Sequence, residues 1–198
     1  MATTTTETAV GAPPVVAMVA SAGGIQALQS VLSSLGPDLE AAVVVLLHLQ
    51  PARPSLLAQI LGRATPLPVR EAVDGESFRP GTVYVAPPDA HLEIRADGTF
   101  VLDHGPPVNN LRPSADRLLA SMAPYRSQRL ALILSGFGRD GTLGAVALHD
   151  AGGTIFAQDE VTAAHFGMPS AAIEAGIVDR VVSVDELGAA VTQFVSAA

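Results

Sequence analysis

The chain has 198 residues, 48% of them hydrophobic, and a mean hydropathy of +0.38, enough to bury one substantial core in one domain. With 19 acidic against 11 basic residues its formal net charge is -8, and aromatic residues make up only 4%, so it lacks the basic footprint and stacking surfaces of a nucleic-acid binder. The lack of cysteine excludes disulfides, a thiolate nucleophile and a cysteine-ligated metal.

Residues 1–14, Thr-rich and then bearing Gly and Pro, read as a flexible lead or linker remnant before a domain over 15–198. Met1–Thr6 carries no basic residue, and the apolar run Ala9–Ala20 is broken by Gly11, Pro13 and Pro14. Neither a signal peptide nor a transmembrane span is predicted, so the expected location is the cytoplasm, without membrane insertion.

Val15–Leu28 has a short β-branched run, a small-residue turn, then apolar residues at helical spacing, which predicts strand, tight loop, helix with Ser21 at the hinge. Such a turn lifts a hydroxyl out of the sheet, and the amides that follow, at Ala22 and Gly23, favour negative charge there. The turn suits a nucleophile or an anion-binding loop; a serine that only caps a helix is the other reading.

The helix pattern Ile25–Leu35 stops at Gly36-Pro37. Ala42–Leu49 is a near-continuous apolar run, as in parallel strands buried on both faces, with His48 at its far end. A helix is predicted over Ser55–Leu61. Thr82–Ala86, His91–Arg95 and Thr99–Asp103 are short strand-like runs with an Asp97-Gly98 turn, read as an antiparallel excursion. His91 alternates with apolar neighbours there and reads as a structural or surface histidine. A helix from Arg112-Pro113-Ser114 through Met122, a strand over Leu130–Leu134, a helix over Leu143–Asp150, a strand over Thr154–Ala157 and a helix over Ser170–Glu174 follow, and Asp185–Ala197 closes the chain. The alternation predicts an α/β fold: a doubly wound, mostly parallel sheet with helices on both faces and an antiparallel hairpin excursion near residues 82–103.

In such sheets ligands bind outside the carboxyl ends of the strands. Ser21, His48 and Asp140 each stand at or just past such an end, so all three can face one crevice. An alcohol needs an adjacent base to act as a nucleophile, and that base needs a third group to set its tautomer. Taken singly, His48 also reads as a buried structural histidine and Asp140 as a helix cap; His165 is the rival base. Glycines around Phe137 let backbone amides approach a developing oxyanion. Arg112, Arg53 and Arg139, in or near the crevice loops, are candidate contacts for an acidic partner that the net charge would otherwise repel.

These residues resemble the catalytic domain of the CheB family of bacterial chemotaxis protein-glutamate methylesterases, over about Val15–Val195. Val19-Ala20-Ser21-Ala22-Gly23-Gly24 resembles the family's Gly-Ala-Ser-Thr-Gly-Gly, Leu47–Pro51 its general-base segment, and Leu134–Gly141 the segment that supplies the acid. Tyr84–Pro87, Arg112–Asp116 and Phe166–Pro169 resemble further family motifs in the same order. The resemblance implies a serine hydrolase with Ser21 as nucleophile, His48 as base, Asp140 as acid and the Phe137 amide at the oxyanion. It implies hydrolysis of glutamate γ-methyl esters on the cytoplasmic helices of methyl-accepting chemotaxis receptors, releasing methanol, with glutamine deamidation in some members. It implies no metal or organic cofactor.

The chain departs from the pattern at Ala22, where the family usually has Thr, at Val19, where it has Gly, and at Phe137, where Met is common. In typical members a receiver domain precedes the esterase domain; here only a short lead precedes Val15, which fits either a stand-alone form, with a receiver domain or response regulator acting in trans as a partner, or an excised piece of a longer protein. The alternative reading is a catalytically weakened domain that binds a receptor or another partner. A phosphate- or nucleotide-binding α/β protein is a third, but neither Gly-Lys-Ser/Thr nor Gly-x-Gly-x-x-Gly is present.

Overall fold

The computed structural model describes residues 12–48 and 55–197. In chain order the elements are β1 (Val15–Ala20), α1 (Gly24–Ser33), β2 (Ala42–Leu47), α2 (Leu57–Gly62), β3 (Val69–Glu71), β4 (Val83–Val85), β5 (His91–Ile94), β6 (Phe100–Asp103), α3 (Ala115–Ser121), β7 (Arg129–Ile133), α4 (Thr142–Asp150), β8 (Thr154–Gln158), α5 (Gly167–Glu174), β9 (Arg180–Val182) and α6 (Val184–Ser196). Seven strands form one parallel sheet in the order β3-β4-β2-β1-β7-β8-β9.

Every residue of β1 and β2 is buried, because helices cover both faces of the sheet. Alternate side chains therefore feed two cores. Val16 and Met18 of β1 and Val43 and Val45 of β2 meet Leu28 and Leu32 of α1 and Leu187 and Val191 of α6. Ala17, Val19, Val44 and Leu46 meet Leu118 and Leu119 of α3, Leu148 of α4 and Met168 of α5. Among the described residues no helix is long and apolar enough to cross a membrane.

The antiparallel ribbon is β5 with β6, turned at Gly98 (φ 82°) and seated on the second core through Leu92, Ile94 and Phe100. The first run assigned to that excursion, around Thr82–Ala86, instead joins the parallel sheet as β4, between β3 and β2. Its three buried residues, Val83, Tyr84 and Val85, were too few to show whether neighbours ran parallel or antiparallel. β3 and β9, unexpected from sequence, are three-residue edge strands with only Val182 buried, too short for an apolar period to mark them. Of the lead, the described part is already tied to the domain: Pro14 O accepts the Ala42 N–H at 2.9 Å and Pro13 O accepts the Tyr125 hydroxyl at 2.6 Å.

Candidate active site

From β1 the chain moves outward on one side through β2, then returns to lay β7 against the other side of β1, so strand order reverses at the carboxyl end of β1. That is where open α/β sheets hold ligands. Ser21 stands there. The pairing Ala20–Leu47 brings His48 alongside it, with the His48 N–H donating to Ala20 O at 3.1 Å, and on the opposite flank the Ser21 N–H donates to Ser135 O at 2.9 Å.

The chain then turns into α1 through Gly23 at φ 74°, where a Cβ would lie 2.7 Å from Ala164 Cβ and 2.8 Å from Ser135 Oγ. Both the angle and the space require glycine. Gly136 faces Ser21 across the site, and a Cβ there would lie 2.9 Å from Ser21 Cβ and 2.2 Å from Met168 Sδ. Gly136→Ala is therefore expected to displace Ser21 and to lower turnover about 100-fold. Turnover and melting temperature measured on the same preparation check this; unchanged turnover would show that the gap between the two loops is not needed.

Asp140 is 6% exposed, and its carboxylate accepts four hydrogen bonds. Oδ1 takes the Ser114 hydroxyl at 3.0 Å and the Asp116 N–H at 3.2 Å; Oδ2 takes the Ala115 N–H at 2.7 Å and His48 Nε2–H at 2.8 Å. Burial works to raise the Asp140 pKa, but the His48 contact and the two amides outweigh it and hold the carboxyl below its usual range. An ionised carboxylate only accepts, so the neutral imidazole carries its proton on Nε2 and leaves Nδ1 as an acceptor. Asp140 thus serves the start of α3; it does not cap α4, whose N-cap residue is Gly141 with no side-chain cap.

Among the described residues Ser21 Oγ has no hydrogen-bond partner, so imidazole and carboxylate are joined while the hydroxyl stands unengaged at the neighbouring strand end. Catalytic contacts of this kind commonly tighten only when substrate binds. The N–H groups of Ala22, Gly23 and Phe137 likewise have no partner among the described residues, which leaves donors for an oxyanion next to the hydroxyl. His165, the rival base, donates its main-chain N–H to Ser135 Oγ and stacks its ring on Phe137 at 4.0 Å between centroids, with no carboxylate among the described residues to set its tautomer.

The sequence profile of the CheB methylesterase family matches residues 16–191. The chain belongs to that family. A crystal structure of the CheB methylesterase catalytic domain of Thermotoga maritima superposes with a TM-score of 0.87 at 37% identity, covering 91% of this chain and 98% of that one. Among curated relatives, a protein-glutamate methylesterase/protein-glutamine glutaminase of Maricaulis maris is 41% identical over 89% of this chain and 45% of its own length. One of Caulobacter vibrioides is 42% identical over 87% of this chain and 51% of its own. The chain spans about half the length of the curated relatives it matches.

Of the arginines picked out on this CheB-family chain, Arg53 lies outside the described residues. Arg139 is exposed on the loop before Asp140 and has no ion pair among the described residues. Arg112 lines a cleft of about 120 Å³ together with His48, Asp89 and Asn110. Its guanidinium is engaged, however, donating to the Asp89 carboxylate, to His104 O at 3.0 Å and to Gly105 O at 2.7 Å, so it ties together the loops that wall the cleft.

Several residues that shape this CheB-type site carry no catalytic signature in sequence. Buried Ser135 donates Oγ–H to Ala22 O at 2.8 Å, joining the Ser21 turn to the loop after β7, and its N–H donates to Gln158 Oε1 at 2.9 Å. His91 is fully buried and structural: Nδ1 accepts the Ser114 N–H at 3.2 Å and Nε2–H donates to Pro106 O at 3.1 Å. Ser114 and Asp116 fall inside the Arg112–Asp116 motif, but the spacing of that motif alone does not say that they grip Asp140.

Proposed function

We propose that this chain is a serine hydrolase that cleaves glutamate γ-methyl esters on the cytoplasmic helices of chemotaxis receptors. Glutamine deamidation at the same centre would follow the same steps with ammonia leaving. The observation that carries the reading is the 2.8 Å bond from His48 Nε2 to Asp140 at the strand end next to Ser21. It leaves Nδ1 as the proton acceptor on an imidazole already oriented by an acid, which an alcohol nucleophile needs.

Ser21 Oγ attacks the ester carbonyl as its proton passes to His48 Nδ1. The oxyanion is received by the free N–H groups of Phe137, Ala22 and Gly23. The imidazolium, steadied by Asp140, then protonates the leaving methoxide, and methanol departs from the acyl-enzyme. Water attacks the acyl group, again giving its proton to His48; the imidazolium returns that proton to the departing Ser21 Oγ, and the acid product leaves and ionises to the carboxylate. The chemistry is complete with these groups and water. A cytoplasmic location, and a receiver domain or response regulator as the controlling partner, belong to the same proposal.

The test is methanol release from a methylated receptor fragment, alongside labelling by a serine-directed fluorophosphonate. We expect release, with labelling at Ser21 that is lost in His48→Ala. Labelling at another serine, or labelling that survives His48→Ala with no methanol formed, overturns the reading in favour of a binding module.

A further inference from the structure

Two short segments grip each other in both directions behind the imidazole. Ser114 Oγ–H and the N–H groups of Ala115 and Asp116 donate to the Asp140 carboxylate. In return the N–H groups of Gly141 and Gly144 donate to Asp116 Oδ1 at 2.9 and 3.0 Å. The first set orients the carboxylate, and the second anchors the backbone immediately beyond it. Neither α3 nor α4 is capped by the side chain of its own N-cap residue, so each helix start is served by an acid associated with the other.

Anchoring alone does not call for a charge. Asparagine at 116 would accept the same two N–H groups, and it serves helix starts as well as aspartate does. Aspartate instead places a second negative charge beside a buried one. Burial pushes the Asp116 carboxyl above its usual range, and the charge of Asp140 adds to this against the pull of the Gly144 and Gly141 amides. Two helix starts offset about half a charge each, which leaves the two carboxylates with a net charge of roughly -1 behind His48. That charge is a burden on the folded protein, and it becomes useful when His48 turns cationic on taking a proton.

We propose that Asp116 is a positioning residue that acts through Asp140, holding the loop that carries the acid and keeping a second negative charge behind the imidazole. This rests on the reading of Ser21, His48 and Asp140 as a hydrolytic centre. The test compares wild type with Asp116→Asn and Asp116→Ala in kcat and KM for methyl-ester hydrolysis, in thermal midpoint at pH 7, and in the proton resonance of the His48 Nε2–H, identified by its loss in His48→Ala.

Asp116→Asn, which keeps the amide acceptor and removes the charge, is expected to lower kcat about tenfold at unchanged KM. Its thermal midpoint should equal or exceed that of wild type, and the resonance should move upfield as the bond to Asp140 weakens. Asp116→Ala, which loses both, is expected to lower kcat about 100-fold and to lower the midpoint. A purely structural cap predicts the opposite pattern for Asn: native kcat, an unmoved resonance, or a loss of activity that only follows a loss of stability. Any of these overturns the proposal. Because the resonance is read without substrate, a wild type that releases no methanol overturns the hydrolase reading while the resonance of Asp116→Asn still decides the role of Asp116.

Discussion

Ser21→Ala is expected to lower kcat for methyl-ester hydrolysis by at least ~1000-fold while the protein remains folded. The hydroxyl has no hydrogen-bond partner among the described residues, and the bonds Ser21 does make, to Ser135 O and from the Gly24 N–H, belong to the main chain that alanine retains. Removing Oγ thus takes away the proposed nucleophile and little else, and the stability change should stay within about 0.5 kcal/mol. Methanol release and a thermal melt on the same sample check both halves. Residual turnover within tenfold of wild type would place the nucleophile elsewhere.

Asp140→Asn is the second large effect, expected to lower kcat by about 10⁴-fold, through the wrong tautomer. All four sites on the Asp140 carboxylate face donors, so an amide NH₂ cannot be placed there without conflict. Set in place of Oδ2, the NH₂ meets the Ala115 N–H and makes His48 Nε2 an acceptor, which moves the imidazole proton to Nδ1, where the mechanism needs a lone pair. Set in place of Oδ1, it meets the Asp116 N–H and breaks the hold on α3. Activity should collapse with KM little changed, and a native kcat in this variant would remove Asp140 from the mechanism.

The two acids also set opposite pH dependences. The pKa of Asp140 is depressed in the fold, so its contribution to stability stands in full above the ordinary aspartate range and is lost as pH falls through the depressed value. Asp116 is raised, so its charge weakens the fold at neutral pH, and this penalty fades as pH falls through the raised value toward the ordinary one. The stability cost of Asp140→Asn is accordingly expected to shrink below about pH 4, and any stability gain of Asp116→Asn to vanish there. Denaturant melts at pH 7 and pH 3 read both differences, and a cost or gain that stays constant between them would contradict the assignment.

Legibility from sequence followed the reach of each signal. The β1–Ser21–α1 turn was plain because strand, turn and helix patterns are local, and six buried residues in a row leave one strand assignment. His48 and Asp140 stand out because His48 directly follows one apolar strand and Asp140 lies on the exit loop of another. The support around them does not. Ser135, Gln158, Ser114 and Asp116 act on partners 23 to 113 residues away, and nothing in the spacing of such residues says which carboxylate or carbonyl they will meet. Arg112 shows the converse: sequence placed it at the cleft, yet its charge is taken up by Asp89 and two carbonyls, a use visible only once the loops are folded.

The alternation of buried strands and helices, and with it the edge of the sheet on which a hydroxyl, an imidazole and a carboxylate emerge, is written in the order of residues along the chain, because hydrophobic period and turn chemistry act over a few residues. That Nε2 of His48 faces Asp140, that Asp116 and Asp140 serve each other's helices, and that Gly136 leaves room for Ser21 emerge only in the folded chain. Those are consequences of strand order and of close approach between distant segments, where distances of a few ångströms are set by packing of the whole chain.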